Sequence, residues 1–147
     1  MNFRLVANIT SYVLWVEAGF LLLPLAVSVF SGEAWLPFFI TAVLCILIGG
    51  ALHLVPVKNR KMHGRDGFMA VALSWIALSL MGALPYVLTG ALDSYVDAVF
   101  ETVSGLTTTG STVFPEVEHL PYSVLLWRSL TPVSYTHLRA HETLMNL

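Results

Sequence analysis

The chain has 147 residues, a length that in water would suit one domain. Hydrophobic residues make up 56% of it and charged residues 11%, against roughly 25% charged in an average soluble domain, too little polar surface to clothe a soluble fold. Nine acids against seven bases give a formal net charge of -2, which lacks the basic footprint of a nucleic-acid binder.

The charges are bunched. Residues 5–30 carry a single charge, Glu17, and residues 34–57 and 67–92 carry none. Each run exceeds the roughly 18–20 residues that cross a ~30 Å hydrocarbon core as a helix. Backbone groups in lipid must be satisfied within the segment, so these runs predict helices, and their lack of alternation argues against barrel strands.

The first run starts behind Arg4 and ends among small residues, as a signal peptide does. Its apolar stretch is longer than the ~7–15 residues of a signal core, so it reads as an uncleaved span. Asn8-Ile9-Thr10 fits a glycosylation sequon but falls in the inward-facing turn, away from that machinery. An ionisable group within a span suggests function by default; for Glu17 a structural partner or a protonated, hydrogen-bonded state is the expectation. Cys45, in the second run, reads as a small buried hydrophobe. His53, near the inner end of that run, should reach the interface.

Lys58, Arg60, Lys61 and Arg65 crowd the second connection, whereas residues 31–33 contain no base. Basic loops stay on the cytoplasmic side, so residues 58–66 and the N-terminus are expected there. The third span, 67–89, then runs outward.

Residues 93–106 read as a short amphipathic helix. Asp93 or Ser94 can cap its start, and Val96, Val99, Phe100 and Val103 form an apolar stripe at i, i+3, i+4 and i+7, with Asp97 and Glu101 on another face. Its length of about 20 Å is too short to span. The uncharged run 107–112, Thr-Thr-Thr-Gly-Ser-Thr, follows, and a fourth apolar stretch starts at Tyr122. Span, half-helix, hydroxyl–glycine strand, span is the layout of a cation-channel pore loop. The chemistry suits it: a potassium ion exchanges its water shell for oxygen ligands, and rings of backbone carbonyls supply them. Gly110 opens backbone angles closed to other residues, and the half-helix points its partially negative C-terminus toward the ion. A polar outer loop is the competing reading of the same six residues.

The run Phe100-Glu101-Thr102-Val103-Ser104-Gly105-Leu106-Thr107-Thr108-Thr109-Gly110-Ser111-Thr112, followed by Leu125-Leu126-Trp127-Arg128-Ser129-Leu130-Thr131, resembles the Trk/Ktr/HKT superfamily of potassium transporters, in its TrkH/KtrB-like membrane subunit. Ala72-Leu73-Ser74-Trp75 and Gly82-Ala83-Leu84-Pro85-Tyr86 are similar to its first pore-domain helix. The resemblance covers about residues 1–131. It implies an all-α integral membrane fold: two extra helices over 1–57, a cytoplasmic loop over 58–66, and the first of four pore repeats over 67–131. Within that repeat it implies a span over 67–89, a pore helix over 93–106, a filter over 107–112 and the start of the inner helix over 122–131. Thr108, Thr109, Gly110 and Ser111 would form the first filter strand, with one glycine where ordinary potassium channels have two. The implied activity is potassium uptake across the bacterial plasma membrane, with K+ as the transported ion and no organic cofactor. The implied partners are the bilayer, a second copy in a homodimer, and a cytoplasmic nucleotide-binding regulatory ring.

Two departures stand out. Only one repeat is present, so one filter strand gives one wall of a cage and the chain alone is not expected to conduct. The pattern also stops in the fourth span, where Pro132-Val133-Ser134-Tyr135-Thr136-His137-Leu138-Arg139-Ala140-His141-Glu142-Thr143 reads as adaptor-derived sequence fused to a truncated gene, making 132–147 a non-native tail. His137 and His141, at i and i+4, are an accidental pair on that reading, without the full zinc-protease pattern.

Asp93, Asp97, Glu101, Glu116 and Glu118 fall on the expected outer side, as a cation-gathering vestibule or as solvated loop charge. Glu101, nearest the filter, is the leading candidate for the vestibule or for support of the pore loop. Arg128 either pairs with a pore-loop acid or reaches the headgroups; the resemblance favours the pair. A small structural or adaptor membrane protein without a pore is the alternative, and the depth of 107–112 separates the two. No nucleophile-plus-base arrangement or metal-ligand cluster stands within 1–131, so an enzyme is not expected.

Overall fold

The computed structural model describes residues 2–58 and 61–132. Among them every regular element is a helix: α1 (Phe3–Ser31), α2 (Leu36–His53), α3 (Gly64–Leu88) and α4 (Tyr95–Leu106), then α5, helical over 122–132. The tail over 133–147, with His137 and His141, lies outside the described residues.

Three helices, α1 to α3, are long and apolar enough to cross a membrane. At 29, 18 and 25 residues they measure about 43, 27 and 37 Å. The 12 residues of α4 give about 18 Å. Helix α1 passes through Pro24 and stops at Gly32, whose left-handed φ of 71° turns the chain while its N–H bonds back to the Ser28 carbonyl. Pro37 sits in the first turn of α2, where the missing N–H leaves no bond unmade.

Packing is by small and polar residues. Ser11, Ser28, Thr41, Gly49, Ser74, Ser79 and Gly82 are buried, whereas Leu22, Phe30, Leu47, Phe68 and Ile76 are exposed. Surrounding lipid is as apolar as leucine, so large side chains gain little by turning inward, and close backbone approach decides the interface. At Gly49 a Cβ would lie 2.6 Å from Trp15 Nε1 and 3.2 Å from the Ser11 carbonyl, so any larger residue would have to displace the Trp15 ring where α1 and α2 cross. Large residues do form a core where α1, α2, α3 and α5 converge: Leu14, Leu21, Phe38, Tyr86 and Trp127.

Two polar clasps mark opposite ends of the bundle. At one end Asp66, buried at the start of α3, accepts the Asn2 N–H at 2.9 Å and the His63 N–H at 3.2 Å. Near that end Asn8 Nδ2 meets His53 Nδ1 at 3.1 Å, so the C-terminal end of α2 packs back on α1. At the other end Glu33, in the α1–α2 turn, holds the start of α5. Glu17 is buried, 4.0 Å from the thiol of the equally buried Cys45.

Candidate functional site

Helix α4 begins at Ser94, whose backbone is extended as an N-cap requires but whose side chain makes no capping bond. Its burial differs from what the apolar stripe suggests. Val96 and Phe100 are exposed, while Ala98, Glu101 and Thr102 are buried. These three with Gly105 fall at i, i+3, i+4 and i+7, a stripe of small and polar residues. A Cβ on Gly105 would stand 3.1 Å from Thr131 Cβ, so this face lies against α5. The apolar stripe was legible as a pattern but does not mark the buried side, which small and polar residues fill.

The end of α4 is a Schellman turn. Thr109 N–H reaches the Ser104 carbonyl at 2.9 Å and Thr108 N–H the Gly105 carbonyl at 3.1 Å, the paired bonds of that motif. Its left-handed position is usually glycine, yet here it is Thr108, with φ 57°. A β-branched residue there is strained, and such strain concentrates at functional sites. Gly110 follows with φ 77° and open space where a Cβ would be; its need for glycine is purely conformational. The Thr107 hydroxyl lies 2.7 Å from that of Thr109. Residues 107–112 are all exposed.

What holds the strand is behind it. The Ser104 hydroxyl donates to the Ser111 carbonyl at 2.6 Å. The Glu101 carboxylate receives the Thr112 hydroxyl at 3.1 Å and the Val113 N–H at 3.0 Å, and Arg128 Nε donates to it at 2.7 Å. The Glu101 side chain is 2% exposed and that of Arg128 30%. Glu101 is therefore not one of the solvent-facing acids; Asp93, Asp97, Glu116 and Glu118 are exposed, and Glu101 is a buried acceptor joining α4, the strand and α5. Further down, Trp127 Nε1 donates to the Gly82 carbonyl at 3.0 Å. A Cβ on Gly82 would stand 2.8 Å from Thr102 Cγ2 and 3.2 Å from Glu17 Oε1. Helices α1, α3, α4 and α5 thus meet at one glycine.

The structure brings together Glu101, Arg128 and the strand 107–112. Reading along the sequence did not find Glu33, Ser104 or Thr102. Ser104 lies three residues from Glu101 on the same α4 face and had a local signal; Glu33 lies 89 residues from Tyr122 and had none. Burial raises the Glu33 carboxyl, but the Ser123 hydroxyl and the Ser123 and Tyr122 amides outweigh it and hold its pKa below the ordinary carboxylate value.

Chemically the arrangement offers backbone carbonyls and hydroxyls along an exposed strand, anchored on its rear face. Nothing in it activates a nucleophile, and the strand suits coordination of a cation by neutral oxygens.

The comparisons agree with this architecture. The sequence model of the family described as "TrkH: Cation transport protein" matches residues 36–138. The Trk system potassium uptake protein TrkG of Escherichia coli (strain K12) is 36% identical over 129 residues, covering 86% of this chain and 27% of that protein. TrkH of Halomonas elongata is 36% identical over 131 residues, covering 87% and 27%. The crystal structure of the potassium transporter TrkH from Vibrio parahaemolyticus superposes with a TM-score of 0.83 at 30% identity, covering 89% of this chain and 29% of that one. The chain spans about a quarter of the length of the relatives it matches.

Proposed function

The chain belongs to the TrkH family of cation transport proteins and is a multi-pass membrane protein, and from that premise we propose that it forms the first wall of a potassium-selective pore in a larger uptake protein. Residues 67–131 are the first pore repeat, with α1 and α2 as two helices added before it. Thr108, Thr109, Gly110 and Ser111 present oxygens to potassium. The observation that carries this reading is an exposed strand whose rear face is fixed to Glu101 and, through it, to Arg128.

The mechanism follows from electrostatics. A dehydrated ion needs oxygens already in place, because reorganising them would consume the binding free energy. Hydrogen bonds behind the strand, at 2.6 Å to the Ser111 carbonyl and 3.0 Å from the Val113 N–H, hold it while its front stays open. The C-terminus of α4 turns its partially negative end toward the start of the strand. The buried charge of Glu101 is balanced by Arg128, leaving neutral oxygens to face the ion. One wall does not make a cage, so the 147-residue chain by itself does not conduct. The full assembly works as a homodimer in a bacterial plasma membrane, N-terminus and 58–66 inside, gated by a cytoplasmic nucleotide-binding ring, and it is a transporter, not an enzyme.

To test this, residues 1–131 replace the matching segment of the Vibrio parahaemolyticus TrkH, and uptake is measured in a bacterial strain that lacks potassium uptake. Restored uptake that loses its preference for potassium over sodium on Gly110→Ala is expected. Unaltered preference in that variant, with a cysteine at 110 freely labelled by bulky thiol reagents, would support a pore-free outer loop instead.

A further inference from the structure

Helix α5 has no cap of its own. Its first bond runs from the Leu125 N–H to the Pro121 carbonyl at 3.0 Å, so Pro121 occupies the N-cap position, and proline offers no side-chain acceptor. The free amides at that end instead find Glu33. Its carboxylate accepts the Tyr122 N–H at 2.8 Å, the Ser123 N–H at 3.0 Å and the Ser123 hydroxyl at 2.5 Å. Glu33 is itself fixed, its N–H bonded to the Ser28 carbonyl at 2.8 Å at the end of α1. An anion there also meets the positive end of the helix dipole. Five residues beyond Ser123 comes Arg128, which holds Glu101, which in turn holds Thr112 and Val113.

We propose that Glu33 is a positioning residue for the filter: by capping α5 from the α1–α2 turn it sets the height of Arg128, and through Glu101 the seat of the strand that ends at Thr112. This gives the two added helices a task in ion selection, and it rests on the pore reading above. The contacts at both ends of the relay are polar, and the backbone of helix α5 carries the link from Ser123 to Arg128. Each bond is made to a charged group, the class whose loss weighs most.

The test is NMR-detected hydrogen exchange on the 147-residue chain in lipid nanodiscs. In Glu33→Gln the Tyr122 and Ser123 amides lose their charged acceptor and exchange faster. The deciding amide is Val113, which touches Glu101 and not Glu33. It is expected to exchange about tenfold faster, the change that loss of one charge-assisted bond brings. Glu33→Asp, one methylene shorter, should restore part of the protection at all three. Faster exchange at Tyr122 and Ser123 with Val113 unchanged makes Glu33 a helix cap only and overturns the proposal. If Glu33→Gln does not fold, Ser123→Ala removes a single bond to the carboxylate, and the response of Val113 decides in the same way: faster exchange supports the link and unchanged exchange overturns it. No potassium enters this measurement, so the uptake assay failing while Val113 responds would sink the pore reading and leave the mechanical link standing.

Discussion

Replacing Arg128 with methionine isolates the pair behind the strand. The contact is short, 2.7 Å from Nε to Oε1, and unequal, with the Glu101 side chain 2% exposed and that of Arg128 30%. Removing one partner of a fully buried pair costs about 3–5 kcal/mol, because the remaining charge is stranded. Exposed pairs contribute about 0–1 kcal/mol. Arg128 is partly solvated, so Arg128→Met should lose about 2–3 kcal/mol, between those limits. Glu101→Met frees Arg128 to turn toward solvent but leaves the Thr112 hydroxyl and Val113 amide without their acceptor, about 1–3 kcal/mol for each donor that stays buried. The double variant strands no charge, and its loss should fall short of the summed single losses by about 1.5 kcal/mol or more. Denaturant unfolding in micelles, followed by far-ultraviolet circular dichroism, gives the four stabilities of the cycle. Additivity within about 0.5 kcal/mol would show that the two side chains do not depend on each other and that the pair does not anchor the strand.

Three further outcomes follow from single residues. Gly82→Ala drives a methyl to within 2.8 Å of Thr102 Cγ2 and should destabilise the chain by about 1–3 kcal/mol, reversing the gain of about 0.5–1 kcal/mol that alanine normally brings to a helix; a raised melting temperature would contradict the four-helix crossing. Thr108→Gly relieves the φ of 57° and should raise stability by about 1 kcal/mol, read as a higher melting temperature, and a lower one would mean that the threonine side chain outweighs its backbone strain. Glu33 has a folded-state pKa below its unfolded one, so the stability from its clasp is fully present above the unfolded value of about 4.3 and is lost as pH falls through the lower folded value. The melting-temperature gap between the parent and Glu33→Gln should hold from pH 7 to 5 and close below about pH 4; a gap that instead widens in acid would reverse the assigned sign.

The spans and the half-length of α4 were legible because they depend on counts of charges and residues, and the bilayer is unforgiving about both. Gly110 was legible because its φ of 77° answers a local demand. Thr108 was not, since its neighbours give no hint that a threonine takes the left-handed position. Glu101 illustrates an intermediate case. Its place fewer than two turns before the strand marked it for attention, and its pairing with Arg128 came from the resemblance, but an acid near an outer loop reads equally well as solvated. Burial beneath Thr112 and Val113 decides between those, and burial is a property of the fold.

Glu33, Asp66, Glu101 and Arg128 show why so few charges suffice in this chain. In water each would contribute little, because solvent competes for every donor. Here each carboxylate takes two or more donors, most of them from other segments: Asn2, with the neighbouring His63, on Asp66, Tyr122 and Ser123 on Glu33, Thr112, Val113 and Arg128 on Glu101. Apolar packing against lipid is nearly indifferent to how a helix is rotated, so it cannot by itself fix the height of a strand to a fraction of an ångström. Directional bonds to carboxylates such as the buried Glu101 can. Three of the few acids, Glu33, Asp66 and Glu101, are thus each held by defined donors, and the strand takes its seat from Glu101.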